Sequence, residues 1–561
     1  MTAKSRNERR GPLWHKDAVI YHLHVRSFSD ANGDGIGDFA GLTQKLDYIE
    51  SLGVNTIWLL PFYPSPGRDG GYDVTDYTNV SPEYGSVRDF EVFVTAAHQR
   101  NIRIIVELVI NHTSDEHPWF QSARRARADS KERDYYVWSD TDEKFAGTRI
   151  IFIDSETSNW SWDPVAGAYY WHRFYAHQPD LNFRNPIVVE ELLKIMRFWL
   201  DKGVDGFRLD AVPHLIEREK TKSENLPETH ALLKHLRRTL EETHPEVILL
   251  AEANLWPKEA REYFGEGDEC HMAFHFPLMP RIFSAVAKAS SKPIKTIMRQ
   301  TLPIPDDCQW AIFLRNHDEL TLEMVSEAER NFLWEKYAAD KRARLNLGIR
   351  RRLSPLMDQD RRRIELLHML LLSLPGSPVL YYGDEIGMGD NIELGDRDGV
   401  RTPMQWADEK NAGFSNAPPS ALALPVIANA QFGYAAINVK DQEDDAHSLL
   451  NWVRQVLALR ASHTAFARGQ MRFVKTDNDS VIAFVRADGD DRILCVANLS
   501  NTAQATQIGL SKFNGFTPVE LTGGAAFPII EHKAYAMTFQ PYAYFWLKLD
   551  KNRSAGDLDA E

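Results

Sequence analysis

Residues 102–110 read Ile-Arg-Ile-Ile-Val-Glu-Leu-Val-Ile and run directly into Asn111-His112. A near-continuous apolar run of this length suits a strand buried on both faces, as in a parallel sheet. Similar runs recur at 19–28, 56–62, 206–210, 247–254, 310–318 and 377–385, with a weaker one at 271–276. Between them lie amphipathic stretches of helical period, among them 39–52, 87–100, 188–202 and 228–242. Eight strand–helix units in order predict an α/β fold, a (β/α)8 TIM barrel.

The barrel is interrupted twice. The stretch 111–205 is too long for a plain connection, and its first part is rich in Trp, Tyr, Asp and Ser without helical period. We therefore read 1–110 as the first part of the barrel, 111–186 as an inserted subdomain after strand 3, and 187–463 as the rest of the barrel. A second, lid-like insertion spans 320–374 after strand 7 and carries a dense basic run from Lys341 to Arg363. A helical lid paired with acidic neighbours is the expected reading of that run, ahead of a nucleic-acid patch. From 464 to 550 short alternating segments separated by Asp/Gly/Asn turns predict a C-terminal antiparallel β-sandwich, and 551–561 reads as a disordered tail.

The chain has 561 residues, and 65 basic against 79 acidic side chains give it a net charge of −14. Such an acidic balance argues against nucleic acid or an anionic membrane as a partner. No run of roughly 18 apolar residues occurs, so a transmembrane helix is not expected. Residues 1–10 are polar and basic and lead into no hydrophobic signal core. The three cysteines, Cys270, Cys308 and Cys495, have no metal-type spacing. A cytoplasmic location without disulfides fits these features. Monomer and homo-oligomer stay equally open.

In a barrel of this kind chemistry sits at the C-terminal ends of the strands. Strand 4 ends Gly206-Phe207-Arg208-Leu209-Asp210, strand 5 ends Ala251-Glu252-Ala253-Asn254, and strand 7 ends Asn316-His317-Asp318. Any one carboxylate there could be a helix cap or half of a salt bridge. Three on three strand ends converge on one pocket. Paired carboxylates over an electron-poor carbon are what glycosidic cleavage requires: one ionised to attack, one protonated to release the leaving oxygen. Arg208, two residues before Asp210, points to the same side of its strand and is expected to lower the Asp210 pKa.

These motifs, with Val109-Ile110-Asn111-His112, Gln178-Pro179-Asp180-Leu181-Asn182 and Gly383-Asp384-Glu385, resemble glycoside hydrolase family 13, the α-amylase family, over nearly the whole chain. By that resemblance Asp210 is the nucleophile, Glu252 the general acid/base and Asp318 the transition-state stabiliser. His112, Arg208 and His317 would hold the sugar at the cleavage point, and Gln178 would join the binding residues. Retention of configuration follows, with carboxyls about 5–5.5 Å apart. Tyr72, in Gly71-Tyr72-Asp73, could stack on the sugar ring. Asp73 could bind hydroxyls and pair with Arg401, closing the far end into a pocket suited to a disaccharide; a structural ion pair is the alternative.

Asp30-Ala31-Asn32-Gly33-Asp34-Gly35-Ile36-Gly37-Asp38 begins as an EF-hand loop does but lacks its closing Glu. The resemblance implies a structural Ca2+ held by the Asp30, Asn32, Asp34 and Asp38 side chains and the Ile36 carbonyl; an acidic turn without metal is the alternative. No organic cofactor is implied.

Within the family, stretches 206–215, 251–257, 317–323, 346–353 and 391–406 are similar to members that interconvert maltose and trehalose. Such chemistry demands that water be excluded while a released glucose turns. Asn254, Glu319 and Glu323 are candidates to hold that glucose, and Arg149 is expected to reach across to Asn254. Two departures stand out: His214 where a Tyr is expected, and Arg184 where an acidic residue is expected. Either could shift the outcome toward hydrolysis, so an α-glucosidase acting on maltose or other short α-glucosides is the alternative. A non-catalytic binding relative would be expected to lack the three carboxylates.

Overall fold

The computed structural model describes residues 13–551. The N-terminal stretch 1–10 and all of the tail but Lys551 lie outside the described residues. The chain opens with strands β1 (Ile20–Leu23), β2 (Thr56–Leu59) and β3 (Arg103–Leu108). An insertion then contributes β4 (Trp138–Ser139), β5 (Trp160–Asp163) and β6 (Ala168–Trp171). Next come β7 (Gly206–Leu209), β8 (Ile248–Ala251), β9 (Met272–Phe274) and β10 (Gln309–Phe313). A small hairpin sheet of β11 (Leu320–Thr321), β12 (Arg344–Leu345) and β13 (Gly348–Ile349) precedes β14 (Ser377–Tyr381).

Strands β1, β2, β3, β7, β8, β9, β10 and β14 close into one parallel barrel. Their residues are almost all buried, which is why they read as apolar runs rather than as alternations. The weak sixth strand exists as β9, three residues flanked by the buried rings of His271 and His275. The helices between strands bury one stripe each. Val87–Gln99 packs Phe90, Phe93, Val94 and Ala97 inward and starts at a reciprocal Ser86/Asp89 cap. The stretch expected as one helix over 39–52 breaks at Lys45 into Phe39–Gln44 and Leu46–Leu52.

The basic run is only partly helical, with Leu353–Leu356 and the start of Arg361–Ser373 as its helical pieces, and several of its arginines do pair with acidic neighbours. Helix Glu327–Tyr337 comes before it, and residues 344–349 form the β12–β13 hairpin. Its consecutive arginines are consumed by the barrel rim. Arg350 donates to the carbonyls of Leu394 and Asp396, Arg351 pairs with Asp390 at 2.9 Å, and Arg352 lies buried over the rings of Tyr381 and Tyr382.

Strands β15 (Gln470–Phe473), β16 (Val481–Asp488), β17 (Asp491–Asn498), β18 (Gln504–Ile508), β19 (Thr517–Glu520), β20 (Tyr535–Phe539) and β21 (Tyr544–Asp550) follow. They form a five-stranded and a two-stranded antiparallel sheet around a separate core that includes Val485, Leu494, Ile508 and Met537. Cys270, Cys308 and Cys495 are buried and free. Among the described residues no helix is long and apolar enough to cross a membrane.

Candidate active site

Asp210 and Glu252 stand one residue beyond β7 and β8. Their backbone N–H groups still donate to the Leu108 and Leu209 carbonyls, both at 3.1 Å, so the ladder aims the two carboxyls at the barrel's C-terminal rim. Ala211 then turns the chain with φ +50°, a left-handed conformation costing a non-glycine residue about 1 kcal/mol. Beneath them the buried Arg208 guanidinium touches three carboxyls: Glu107 on β3, Asp210 at 2.5 Å and Glu252 at 2.5 Å. Glu252 also accepts the Ala211 amide at 3.1 Å.

Burial pushes Asp210 up to about 6 although Arg208 opposes it, so desolvation outweighs the expected lowering. Burial, reinforced by Asp210 and Asp318, takes Glu252 to about 8 and keeps it protonated at neutral pH. Asp318 is the opposite case. Against the upward push of its own burial, His317, Arg397 and Arg401 hold it well below the usual carboxylate range. The site thus holds one carboxyl charged, one poised and one protonated.

These groups face a cavity of about 150 Å3 that Tyr72, His112, His214, Asn254 and Glu319 also line. Asn254 donates to Thr321, and its side-chain oxygen, buried, has no partner among the described residues. His317 and Arg208 do not reach the cavity wall. His317 stacks parallel to Tyr72 with ring centres 5.5 Å apart, bonds its hydroxyl at 2.7 Å, and leans on His22 at 2.9 Å. Burial holds His317 at about 4 and His112 at about 3, so both rings are neutral at pH 7.

The far wall corrects the sequence reading. Asp73 does not pair with Arg401 and does not line the cavity. Its buried carboxylate caps the loop below, accepting from the Ser65 hydroxyl at 2.7 Å and the Arg68 amide at 3.1 Å. The wall is Asp69–Arg397, at 2.8 Å, with the second Arg397 arm on Asp318 at 3.0 Å. Arg401 stands behind, donating to Asp318 at 3.2 Å and to the His317 carbonyl. It passes Gly70 so closely that a Cβ there would meet its Nη1 at 2.3 Å. Gln178 does not line the cavity either; it donates to Asp69 at 2.9 Å and orients that wall.

The mouth is bridged by the inserted subdomain. Arg149 reaches not Asn254 but Glu224 at 2.8 Å and Glu323 at 3.1 Å. Asp154 accepts the Asn346 amide at 2.7 Å from the hairpin opposite. His214 lines the cavity beside Arg173 and Phe174. Arg184 lies away from it, donating to the Glu217 carbonyl at 2.6 Å, so it does not touch the pocket. Sequence reading missed Asp69, Arg397, Glu107 and His22. The first two stand four residues before Asp73 and Arg401, and nothing in the spacing favours one pair over the other.

The loop 30–38 lies apart from this cavity. Asp30 accepts from the Gly33 and Gly35 amides and the Ser415 hydroxyl, Asp34 from the Ile36 amide and Asn32 side chain, and Asp38 from the amides of Ala31, Asn32 and Gly41. Among the described residues no cluster of three or more His, Cys, Asp or Glu side chains converges on one metal-sized site.

A closed parallel barrel with three carboxyls meeting in a blind pocket at its C-terminal rim is the build of a carbohydrate-active enzyme. The chain belongs to the α-amylase family: the alpha amylase catalytic domain matches residues 22–469, and the maltogenic amylase C-terminal domain matches 471–546. It is 56% identical over 549 residues to the trehalose synthase/amylase TreS of Mycolicibacterium smegmatis, covering 96% of this chain and 92% of that one. The trehalose synthase of Pimelobacter sp. is 53% identical, with 97% of each chain covered. Among solved structures, the trehalulose synthase MutB from Pseudomonas mesoacidophila is 28% identical with a TM-score of 0.76, covering 96% of this chain and 99% of that one.

Proposed function

We propose that this enzyme interconverts maltose and trehalose by intramolecular glucosyl transfer. Asp210 attacks C1 of the non-reducing glucosyl unit while Glu252 protonates the glycosidic oxygen, so the C1–O4 bond breaks as a C1–carboxylate bond forms. The released glucose stays in the pocket and turns. Its anomeric hydroxyl gives its proton to Glu252 and attacks C1, returning Asp210 as a carboxylate and leaving an α,α-1,1 linkage. Two inversions amount to retention. Asp318, held ionised, sits to stabilise positive charge at C1, while Tyr72 and His112 flank the ring.

The observation that carries this reading is the bridged mouth. Arg149–Glu323 and Asp154–Asn346 tie the inserted subdomain to the opposite loops over the carboxyls, and a water-poor pocket is what transfer to a trapped sugar needs. The names of the relatives at 53–56% identity support it. Glu319 and the unpartnered Asn254 oxygen are the groups we assign to the turning glucose. Water reaching the covalent intermediate would yield glucose as a minor product. The test is anomeric proton NMR during incubation with maltose: a growing trehalose signal with little glucose is expected, whereas glucose alone would make this an α-glucosidase.

The two carboxyls also set a pH window. Activity needs Asp210 ionised and Glu252 protonated, so kcat/KM falls below about pH 6 as Asp210 takes up a proton and above about pH 8 as Glu252 loses one. The expected profile is a narrow bell centred near neutrality. A plateau extending from pH 5 to 9 would contradict these assignments.

We assign a structural Ca2+ to the 30–38 loop, with the Asp30, Asn32, Asp34 and Asp38 side chains and the Ile36 carbonyl as an all-oxygen donor set suited to that hard cation. The amides that now meet these carboxylates would have to share them with the ion. Because Asp30 also grips Ser415 and the Phe414 carbonyl, the ion would clamp the loop to the 414–423 segment. EDTA is then expected to lower the melting temperature by several degrees, with Ca2+ but not Mg2+ restoring it and the trehalose-to-glucose ratio unmoved. An unchanged melting temperature would leave the loop as a metal-free acidic turn.

A further inference from the structure

The β12–β13 hairpin reaches a carboxylate of the cavity wall through the residue at its tip. Asn346 sits at its tip with φ +48°, in the left-handed region that Asn tolerates better than other side chains. That turn sends its two donors opposite ways. The backbone N–H goes to the exposed Asp154 carboxylate of the inserted subdomain at 2.7 Å. The side-chain Nδ2 goes to Glu319 Oε1 on the cavity wall at 3.3 Å. No other side chain donates to Glu319 among the described residues. Gly348 makes the approach possible, since a Cβ there would lie 2.4 Å from Glu319 Cγ and 2.9 Å from the Leu320 carbonyl.

From this geometry we infer that Asp154–Asn346–Glu319 is a latch that sets product partition. Resting on the transfer reading above, it joins closure of the inserted subdomain to the orientation of the carboxylate facing the released glucose. When the subdomain lifts, Asn346 loses its outer anchor and Glu319 loses its donor, so water enters as the sugar loosens. Asn346 is a positioning residue: it touches Glu319 and not the reacting atoms.

Asn346→Gly keeps the positive-φ turn and the amide to Asp154 but removes the donor to Glu319. Asn346→Asp keeps the shape but replaces that donor with a second carboxyl. With maltose as substrate and NMR quantification, the glucose share is expected to rise about fivefold in N346G, the effect of one ordinary hydrogen bond. It should rise further in N346D. Lowering the pH should pull N346D past N346G toward the wild type, because a proton shared by the two carboxyls restores the bridge; a purely structural loosening would not respond this way. An unchanged glucose share in both variants overturns the latch. If the wild type forms only glucose, the isomerase reading fails separately. The latch is then read as transfer to added glucose over hydrolysis, with p-nitrophenyl α-glucoside as donor, and an equal ratio in wild type and both variants overturns it.

Discussion

Asp210→Asn is expected to abolish turnover of maltose, with the rate falling about 10⁴- to 10⁶-fold. The amide cannot form the covalent intermediate, yet it is isosteric and still meets Arg208, so the melting temperature should hold. Glu252→Gln should behave differently. With maltose, loss of the proton donor costs about 10²- to 10⁴-fold. With p-nitrophenyl α-glucoside the leaving group needs no proton, so a burst of p-nitrophenol should persist in E252Q and vanish in D210N. That contrast separates attack from protonation. Should D210N keep more than a hundredth of wild-type activity on either substrate, the nucleophile is another group.

Arg208→Ala is expected to damage stability as well as activity. The guanidinium is the shared partner of Glu107, Asp210 and Glu252, and burial already holds Glu107 at about 8, Asp210 at about 6 and Glu252 at about 8 with Arg208 opposing. Removing one member of a buried ion pair costs about 3–5 kcal/mol because the remaining charge is uncompensated. The sign with pH follows. Without Arg208 these carboxyls rise still further above their unfolded values, the native state binds more protons than the unfolded one, and stability falls as pH rises. The melting deficit of R208A against the wild type should therefore be larger at pH 8 than at pH 5. An equal deficit at both would mean that Arg208 acts by packing rather than by charge.

Much of the barrel was legible because its strands are buried on both faces, and burial on both faces writes itself as an apolar run. β3 and β14 could be read this way without any neighbour. The short strands β9 and β18–β20 were faint or unread. β9 has three residues between two histidines, and β18 is Gln-Ala-Thr-Gln-Ile, whose buried side is Thr506 and Ile508, so no apolar alternation marks it as a strand. The basic stretch from Lys341 to Arg363 was expected as a helical lid, and only its later part is helical, because charge density alone does not say what each side chain meets. Arg350 and Arg352 run out to backbone carbonyls and aromatic faces that belong to residues 381–396, while Arg351 meets the Asp390 carboxylate.

The order of the strands, the three carboxyls at their ends and the family they mark are properties of short segments, and the sequence by itself determined them. Which aspartate and arginine wall the pocket was decided only when loops 65–73 and 396–401 met. Asp69 and Asp73 lie four residues apart on one loop, and only the folded turn sends one to Arg397 and the other to Ser65 and the amides below. The protonation of Asp210 was likewise beyond the sequence. Its partner Arg208 is two residues away and visible, but the desolvation that outweighs it is a sum over everything packed around the rim. The same holds for the bridged mouth, since Arg149–Glu323 and Asp154–Asn346 join residues more than a hundred positions apart. Local runs carry strand and motif; convergence, burial and closure exist only in the assembled barrel.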